Sequence, residues 1–455
     1  MHYRLGDERG ANLAAMLALT SDRRWPELED FRMGRAGQPC LVDACMVCAG
    51  QPCHVDACMV WSCPTTFAMV DEQLAESGLS TEMVTTGDDY VFAWYYGIPV
   101  EEAPDLAALE AAGSSGLRGR VYLEVFGVDD TRFDDTMADV LRRLEEAQAA
   151  APATFDIGLA PHAPYTVSSR LYQAVSTLAR ERGLKVMSHV AESEHELTYI
   201  RSGSGKFAHD YREKMGWERM LVQPYGVTPI KYLQQWGVLH PDFVAVHCVN
   251  VTRDDIHTLR AKDVAVAHCP KSNAKLGCGI APLSGLLHEG VRVGIGTDSP
   301  ASSNIMDMFD EMRAMLLLHR AAERDVTVLD AQACVRLATL GGAEALGMEA
   351  EVGSLEPGKW ADLIAVDVSR PQFAPVDDPY SALVYGANQN DVRLTVVGGR
   401  ELFRDGVHIG VDADAVRARA VGVREKLHDR VRLGAVEVGA AESGWWHASP
   451  PIPRR

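Results

Sequence analysis

The sequence predicts an α/β protein, a (β/α)8 TIM-type barrel with a small flanking β domain. Three observations carry that expectation. From residue 116 onward, short β-branched runs alternate with helical patterns, the grammar of parallel strands joined by crossover helices. The strand runs are almost continuously apolar, as strands covered on both faces must be. No GxGxxG or P-loop glycine pattern occurs in the chain, which favours a closed barrel over an open nucleotide-binding sheet.

The elements follow in order. Residues 1–115 give weak signals: ANLAAMLAL (11–19) is compatible with a helix and YVFAWYYGI (90–98) with a buried strand. RVYLEVFG (120–127) is the first clear strand, TMADVLRRLEEAQAA (136–150) a helix, and FDIGLAPH (155–162) the next strand. A helix at 168–182, a strand LKVMSH (184–189), a polar insertion over 193–230 and a strand FVAVH (243–247) come next. Thr252 is placed to cap a helix opening near Asp255. VAVAH (264–268) and VRVGIGTD (291–298) are strands; 304–320 and 329–347 are long amphipathic helices, with Met306, Met308, Met312 and Met315 expected in their core. Strand-turn-strand patterns at 352–368 and 392–408 indicate the small β domain. The domain division is therefore 1–115 as an atypical N-terminal region, 116–347 as barrel, 348–411 as β domain, and 412–455 as a helix and loose tail carrying Trp445 and Trp446.

Composition excludes some partners. Lys and Arg number 44 against 63 Asp and Glu, a net charge of −19. That argues against a nucleic-acid polymer, whose phosphates need basic patches, and against an anionic membrane surface. No apolar run is long enough to span a bilayer, and MHYRLGDERG lacks the order of a secretory signal, so a cytoplasmic protein is expected. A homo-oligomer stays open.

Cysteine is the oddity. Six of ten (Cys40, Cys45, Cys48, Cys53, Cys58 and Cys63) lie in a tandem duplication: AGQPCLVDACMV (36–47) is followed by AGQPCHVDACMV (49–60). Two copies are too few for a solenoid. A disulfide framework would be unusual in a large leaderless chain.

The chemistry gathers at strand ends. Five runs finish in His162, His189, His247, His268 and Asp298. In a parallel barrel those ends share one mouth, where active sites sit. Imidazoles and a carboxylate meeting there form a donor set for zinc or iron. Glu192 follows His189 by three residues, a place from which a carboxylate can shuttle a proton.

These residues carry a resemblance. APHAPYTVS (160–168), SHVAES (188–193), VHCV (246–249), HCPKSNAKLGCGIAPL (268–283), GTDSPASSN (296–304) and GSLEPGKWADLIAVD (353–367) are similar to motifs of the amidohydrolase superfamily. The nearest branch is that of S-adenosylhomocysteine and 5′-methylthioadenosine deaminases, beside chlorohydrolases and guanine deaminases. The resemblance covers roughly two thirds of the chain. It implies one Zn2+ (alternatively Fe2+) per chain, with His189, His247 and Asp298 as the metal set. Catalysis would fall to Glu192, His247 and Asp298. Glu192, His162 and Arg120 would contact the substrate, and Ser272 and Asn273 would fix the loop after His268. The implied reaction is hydrolytic deamination of a 5′-modified adenosine or related aminated heterocycle: activated water attacks the amine-bearing carbon, Glu192 protonates the ring nitrogen, and ammonia leaves. The C-terminal β domain resembles the small sandwich beside such barrels. Wording such as GSGKFA (203–208) also resembles aminofutalosine deaminases, an alternative.

One motif departs from the pattern. The superfamily keeps a His-x-His pair at the end of its first barrel strand. PCLVDACMV (39–47) and PCHVDACMV (52–60) keep the frame but place Cys45 and Val47, or Cys58 and Val60, at those positions. Several readings stand side by side. Cys45 or Cys58, with His54 nearby, substitutes as ligand; thiolates bind zinc well. Alternatively the chain is a catalytically impaired barrel relative, residues 1–115 are a damaged or mistranslated stretch, or the cysteines form a separate metal module.

Overall fold

The computed structural model describes residues 104–208 and 223–418. The duplicated segment with Cys45, His54 and Cys58, the expected elements at 11–19 and 90–98, and Trp445 and Trp446 lie outside the described residues. Among the described residues, six strands run parallel in sequence order: β1 (Gly119–Val125), β2 (Phe155–Pro161), β3 (Val186–Val190), β4 (Phe243–His247), β5 (Ala265–His268) and β6 (Val293–Ile295). All seven β1 residues are buried, as its unbroken apolar character requires.

Helices cover the strands. α1 (Pro104–Ser115) precedes β1, and α2 (Phe133–Ala150) and α3 (Ser169–Arg182) follow β1 and β2. α4 (Glu194–Ser202) and α5 (Pro229–Gln235) lie between β3 and β4, and α6 (Arg253–Ala261) follows β4. α7 (Pro270–Lys275) and α8 (Leu283–His288) follow β5; α9 (Pro300–Ser303) and α10 (Met308–Glu323) follow β6. The starts are chemically marked. Thr252 and Asp255 close the expected capping box of α6, satisfying amides that would otherwise lack acceptors. Ser168 caps α3, and Gly183 ends it in the left-handed conformation with φ +67°.

Three expectations for the barrel need correction. The strand expected over 291–298 is only Val293–Ile295, because the polar residues after it turn into the site. The helix expected from 304 begins at Met308, capped by Asp307. The helix expected over 329–347 is broken into α11 (Ala331–Arg336), a π-turn (Leu337–Gly341) and α12 (Gly342–Leu346). Close packing accounts for the last: a Cβ at Gly341 would lie 2.6 Å from the Val293 carbonyl oxygen. Only glycine lets this turn press on β6. Gly341→Ala is therefore expected to cost about 1–3 kcal/mol of stability, read as a lower denaturant midpoint; an unchanged midpoint would contradict the packing.

The small β domain is, among the described residues, a four-stranded antiparallel sheet of order β10-β9-β8-β7. β7 (Leu363–Val366) is the single strand of the 352–368 region, so the strand-turn-strand expected there is not formed. β8 (Val392–Val397) and β9 (Arg400–Arg404) join through Gly398 and Gly399, at φ +58° and +77°. Such a two-residue hairpin turn needs glycine-like freedom at both positions. β10 (Val407–His408) closes the sheet. Arg118, just before β1, binds Asp362 at 3.2 Å and lies over Trp360 at 4.1 Å, tying the sheet to the barrel strands. Met312 and Met315 are fully buried, as expected. No described helix is long and apolar enough to cross a membrane.

Candidate active site

Alternation along the strands decides which side chains face the barrel interior. Tyr122, Ala160 and Met187 pack in the interior cluster with Val244 and Ala267. Val121, Leu159 and Val186 belong to the cluster under the helices. Two residues beyond Tyr122, Ala160 and Met187, the interior face carries Glu124, His162 and His189. The donor atoms of these three lie within 4.8 Å of one another, as do those of Glu192, His247 and Asp298. The His189 and His247 rings stack at 5.4 Å, joining both groups in one mouth.

The backbone there is strained. Ala191, His247, Cys248 and Asp298 have φ of +55°, +71°, +48° and +58°. Each such non-glycine residue costs roughly 1–3 kcal/mol and persists where the surroundings fix it, often at functional sites. Strict alternation would turn His247 outward, since Val244 and Val246 take the interior face. The left-handed backbone re-aims it. His247 Nε2 then lies 3.7 Å from Glu192 Oε1, and its Nδ1 is 2.9 Å from Asn273 Oδ1. An amide oxygen only accepts, so Nδ1 carries the proton and Nε2 presents its lone pair.

Short α7 braces two of these groups at once. Asn273 holds His247, while the neighbouring Ser272 hydroxyl donates to Asp298 Oδ2 at 2.5 Å. The Ser299 amide donates to Asp298 Oδ1 at 2.7 Å. Burial works to raise the Asp298 carboxyl, but His247, His189 and the Ser272 and Ser302 hydroxyls outweigh it and hold it below the usual range. Asp298 thus stays a carboxylate. Burial, then the neighbouring His189 and His247, push His162 well below the usual imidazole value, so it is neutral.

Glu192 is presented by a second carboxylate. Glu196, fully buried on α4, accepts from the Ala191 amide at 2.8 Å and the Glu192 amide at 2.9 Å. Ser193 caps the same helix by accepting from the Glu196 amide. The spacing is that of a capping box, reaching further back to pin the strained turn. Glu196→Ala leaves both amides without that acceptor. We expect kcat to fall about 10²-fold through misplacement of Glu192 and stability to fall about 1–3 kcal/mol. Full kcat in steady-state kinetics would remove this role.

Arg120, expected to contact substrate, lies elsewhere, and so does the strand-end residue His268, for which a structural role and a substrate contact were both open. Arg120 is the second residue of β1, at the end of the sheet opposite the mouth. Its guanidinium binds Asp156 at 3.0 Å and the Leu346 carbonyl at 3.0 Å, so it does not hold a 5′ substituent. His268 falls on the outward face of β5 and bonds His319 of α10, Nε2 to Nε2, at 3.0 Å; it is a structural residue. Glu124 and Glu196 were not expected. Their signals were a charge inside the apolar run VYLEV and the S-x-x-E spacing of Ser193 and Glu196.

A parallel-stranded α/β fold with histidines and an aspartate at its strand ends defines a metal-dependent hydrolase barrel, and the comparisons give it a family. The chain belongs to the amidohydrolase family, which matches residues 80–402. That match begins beyond the duplicated segment at 36–60. A 5-methylthioadenosine/S-adenosylhomocysteine deaminase of Pelotomaculum thermopropionicum is 36% identical over 324 residues, 71% of this chain and 69% of that one. A 5'-deoxyadenosine deaminase of Methanothermobacter thermautotrophicus is 35% identical over 297 residues, 65% and 64% of the two chains. The crystal structure of an adenosine deaminase from Xanthomonas campestris with bound zinc matches with a TM-score of 0.62 at 30% identity, over 71% of this chain and 70% of that one. The resemblance and the α/β barrel expected from the motifs hold.

Proposed function

We propose that this protein is a metal-dependent hydrolytic deaminase of 5′-modified adenosines. The observation that carries the reading is the convergence of Glu192, His247 and Asp298, with donor atoms within 4.8 Å, on strained backbone at the barrel mouth. The names of the relatives supply the substrate class.

The residues fit a zinc ion. His189 Nδ1 donates to the His162 carbonyl at 3.2 Å and His247 Nδ1 to Asn273, the outer hydrogen bonds that orient metal-binding imidazoles. With the Asp298 carboxylate they form an imidazole and carboxylate set suited to zinc, with Fe2+ the alternative. We assign His189, His247 and Asp298 to hold it. When bound, the metal supplies a Lewis acid that brings the pKa of water toward neutrality.

The remaining chemistry belongs to the side chains. Asp298, kept ionised, accepts a proton from the attacking water. Glu192 carries a proton to the ring nitrogen beside the amine-bearing carbon. His247, oriented by Asn273 through Nδ1, has only its Nε2 lone pair to offer, and that lone pair would go to the metal. Water adds its oxygen to the amine-bearing carbon, Asp298 passes the proton it took to the amine, the carbon–nitrogen bond breaks and ammonia leaves, while the remaining hydroxyl proton returns to Glu192 as the oxo group forms. The nucleoside and water are the partners, and we place the activity in the cytoplasm. Incubation with 5′-methylthioadenosine, S-adenosylhomocysteine and 5′-deoxyadenosine tests the reading. Conversion of the 6-aminopurine chromophore to its 6-oxo form is expected; unchanged spectra for all three would overturn it.

A further inference from the structure

The short helix α7 reaches every side chain of the Glu192, His247 and Asp298 cluster. Asn273 holds His247 and Ser272 holds Asp298. The Asn273 carbonyl also accepts from the Cys278 amide at 2.9 Å, which sets the loop whose Cys278 Sγ lies 3.8 Å from Glu192 Oε1. Yet α7 is poorly built to stay still by itself. Its six residues fall well short of the roughly 12–15 at which a helix begins to hold alone. Cys269 supplies no side-chain cap, and Pro270 opens the first turn.

The acceptor that α7 lacks comes from α10. Glu311 Oε2 accepts from the Lys271 amide at 3.3 Å, in the first turn, where amides need a partner from outside the helix. The Lys271 ammonium binds the Ile305 carbonyl at 2.9 Å and Asp310 at 2.7 Å, fastening the same turn beside the start of α10. For packing alone, Glu311 is a costly residue. It is fully buried. Among the described residues its Oε1 takes part in no hydrogen bond, and the Lys271 ammonium stands 3.8 Å away. Burial, the largest influence, pushes its carboxyl well above the usual range, with Asp310 and Asp298 acting the same way against Lys271. A buried acid left partly unmatched weakens a core rather than building it. Its value lies in what it holds.

We propose that Glu311 is a positioning residue for the metal site: by accepting from the Lys271 amide it anchors α7, and through Asn273 and Ser272 it fixes the directions in which His247 and Asp298 present their donor atoms. The inference rests on the assignment of those two side chains to the metal. What the Lys271 amide needs is an oxygen at the reach of a glutamate, not a charge. Glutamine therefore substitutes, and the shorter aspartate does not.

The test is zinc affinity of the full chain by equilibrium dialysis, with hydrogen exchange of the 271–278 amides in metal-free protein, for wild type, Glu311→Gln, Glu311→Asp and Glu311→Leu. Glu311→Gln is expected to keep zinc affinity within about threefold of wild type, while Glu311→Asp and Glu311→Leu each weaken it about tenfold, as loss of an outer hydrogen-bond partner does. The same two variants are expected to speed exchange of the 271–278 amides about tenfold, as loss of one hydrogen bond to a buried amide does. Glu311→Asp decides the matter where Glu311→Leu fails to fold. Wild-type zinc affinity in folded Glu311→Asp overturns the proposal, even with a lower denaturant midpoint, because Glu311 then serves stability alone. So does a Glu311→Gln variant that loses as much zinc affinity as Glu311→Asp. Where wild type binds no zinc, only the metal assignment falls, and the exchange ratios decide whether Glu311 anchors α7.

Discussion

Glu192→Gln is expected to lower ammonia release at least about 10³-fold while leaving zinc content and folding intact. The amide keeps the size and the position that Glu196 imposes through the Ala191 and Glu192 amides. It cannot carry a proton to the purine ring. General acid–base groups contribute about 10²–10⁴-fold, and the proposed mechanism has no second carboxylate aimed at the ring nitrogen, because Asp298 is occupied by Ser272 and the Ser299 amide. Substrate affinity should change far less than kcat. Retention of more than a tenth of wild-type turnover would take Glu192 out of the proton path.

Asp298→Asn should act differently. Substituting the amide removes a negative ligand and places an N–H where the structure puts a carboxylate oxygen facing Ser272 Oγ at 2.5 Å. Loss of an outer-shell partner alone commonly costs about 10–100-fold in metal affinity, and a direct ligand should cost at least that. Zinc measured by equilibrium dialysis is expected to fall at least about tenfold in affinity, with turnover falling below that of Glu192→Gln. A variant that keeps full zinc and turnover would show that Asp298 neither binds the ion nor accepts the proton. The two substitutions thus separate proton transfer from metal retention within one cluster.

Much of this site was legible in the sequence because strand-end positions are a property of topology. His162, His189, His247 and Asp298 each close or follow an apolar run, and a parallel barrel gathers such ends whatever their distance along the chain. Direction was harder to read. His268 also ends a run, but its place in the alternation sends it toward His319. His247 should have gone the same way and did not, because its backbone adopts φ +71°, which no periodicity discloses. Arg120 illustrates the opposite error: it shares a strand with Glu124 but lies near its N-terminal end, and an arginine at that far end of a barrel strand meets Asp156 rather than substrate. The break after α11 followed from contact between Gly341 and the β6 backbone, a tertiary fact that overrides a good helical pattern.

The N-terminal duplication gains its importance from the same comparison. The family match starts at residue 80, so the Cys45 and Cys58 copies at 36–60 stand apart from the segment that carries Glu192, His247 and Asp298. On the reading proposed, those three and His189 supply the chemistry, and the cysteines are not needed for it. Cys45→Ser combined with Cys58→Ser should then leave zinc affinity within about threefold of wild type, well short of the tenfold that even an outer-shell partner is worth; a larger loss would make a thiolate a ligand.

The central claim is that this chain removes the amine from 5′-modified adenosines by hydrolysis. Ammonia released per chain, from protein purified with added zinc and given 5′-methylthioadenosine, S-adenosylhomocysteine or 5′-deoxyadenosine, tests it most directly. The account predicts many equivalents of ammonia from at least one of the three, abolished by Glu192→Gln. Stoichiometric zinc with less than one equivalent of ammonia from every nucleoside would contradict it.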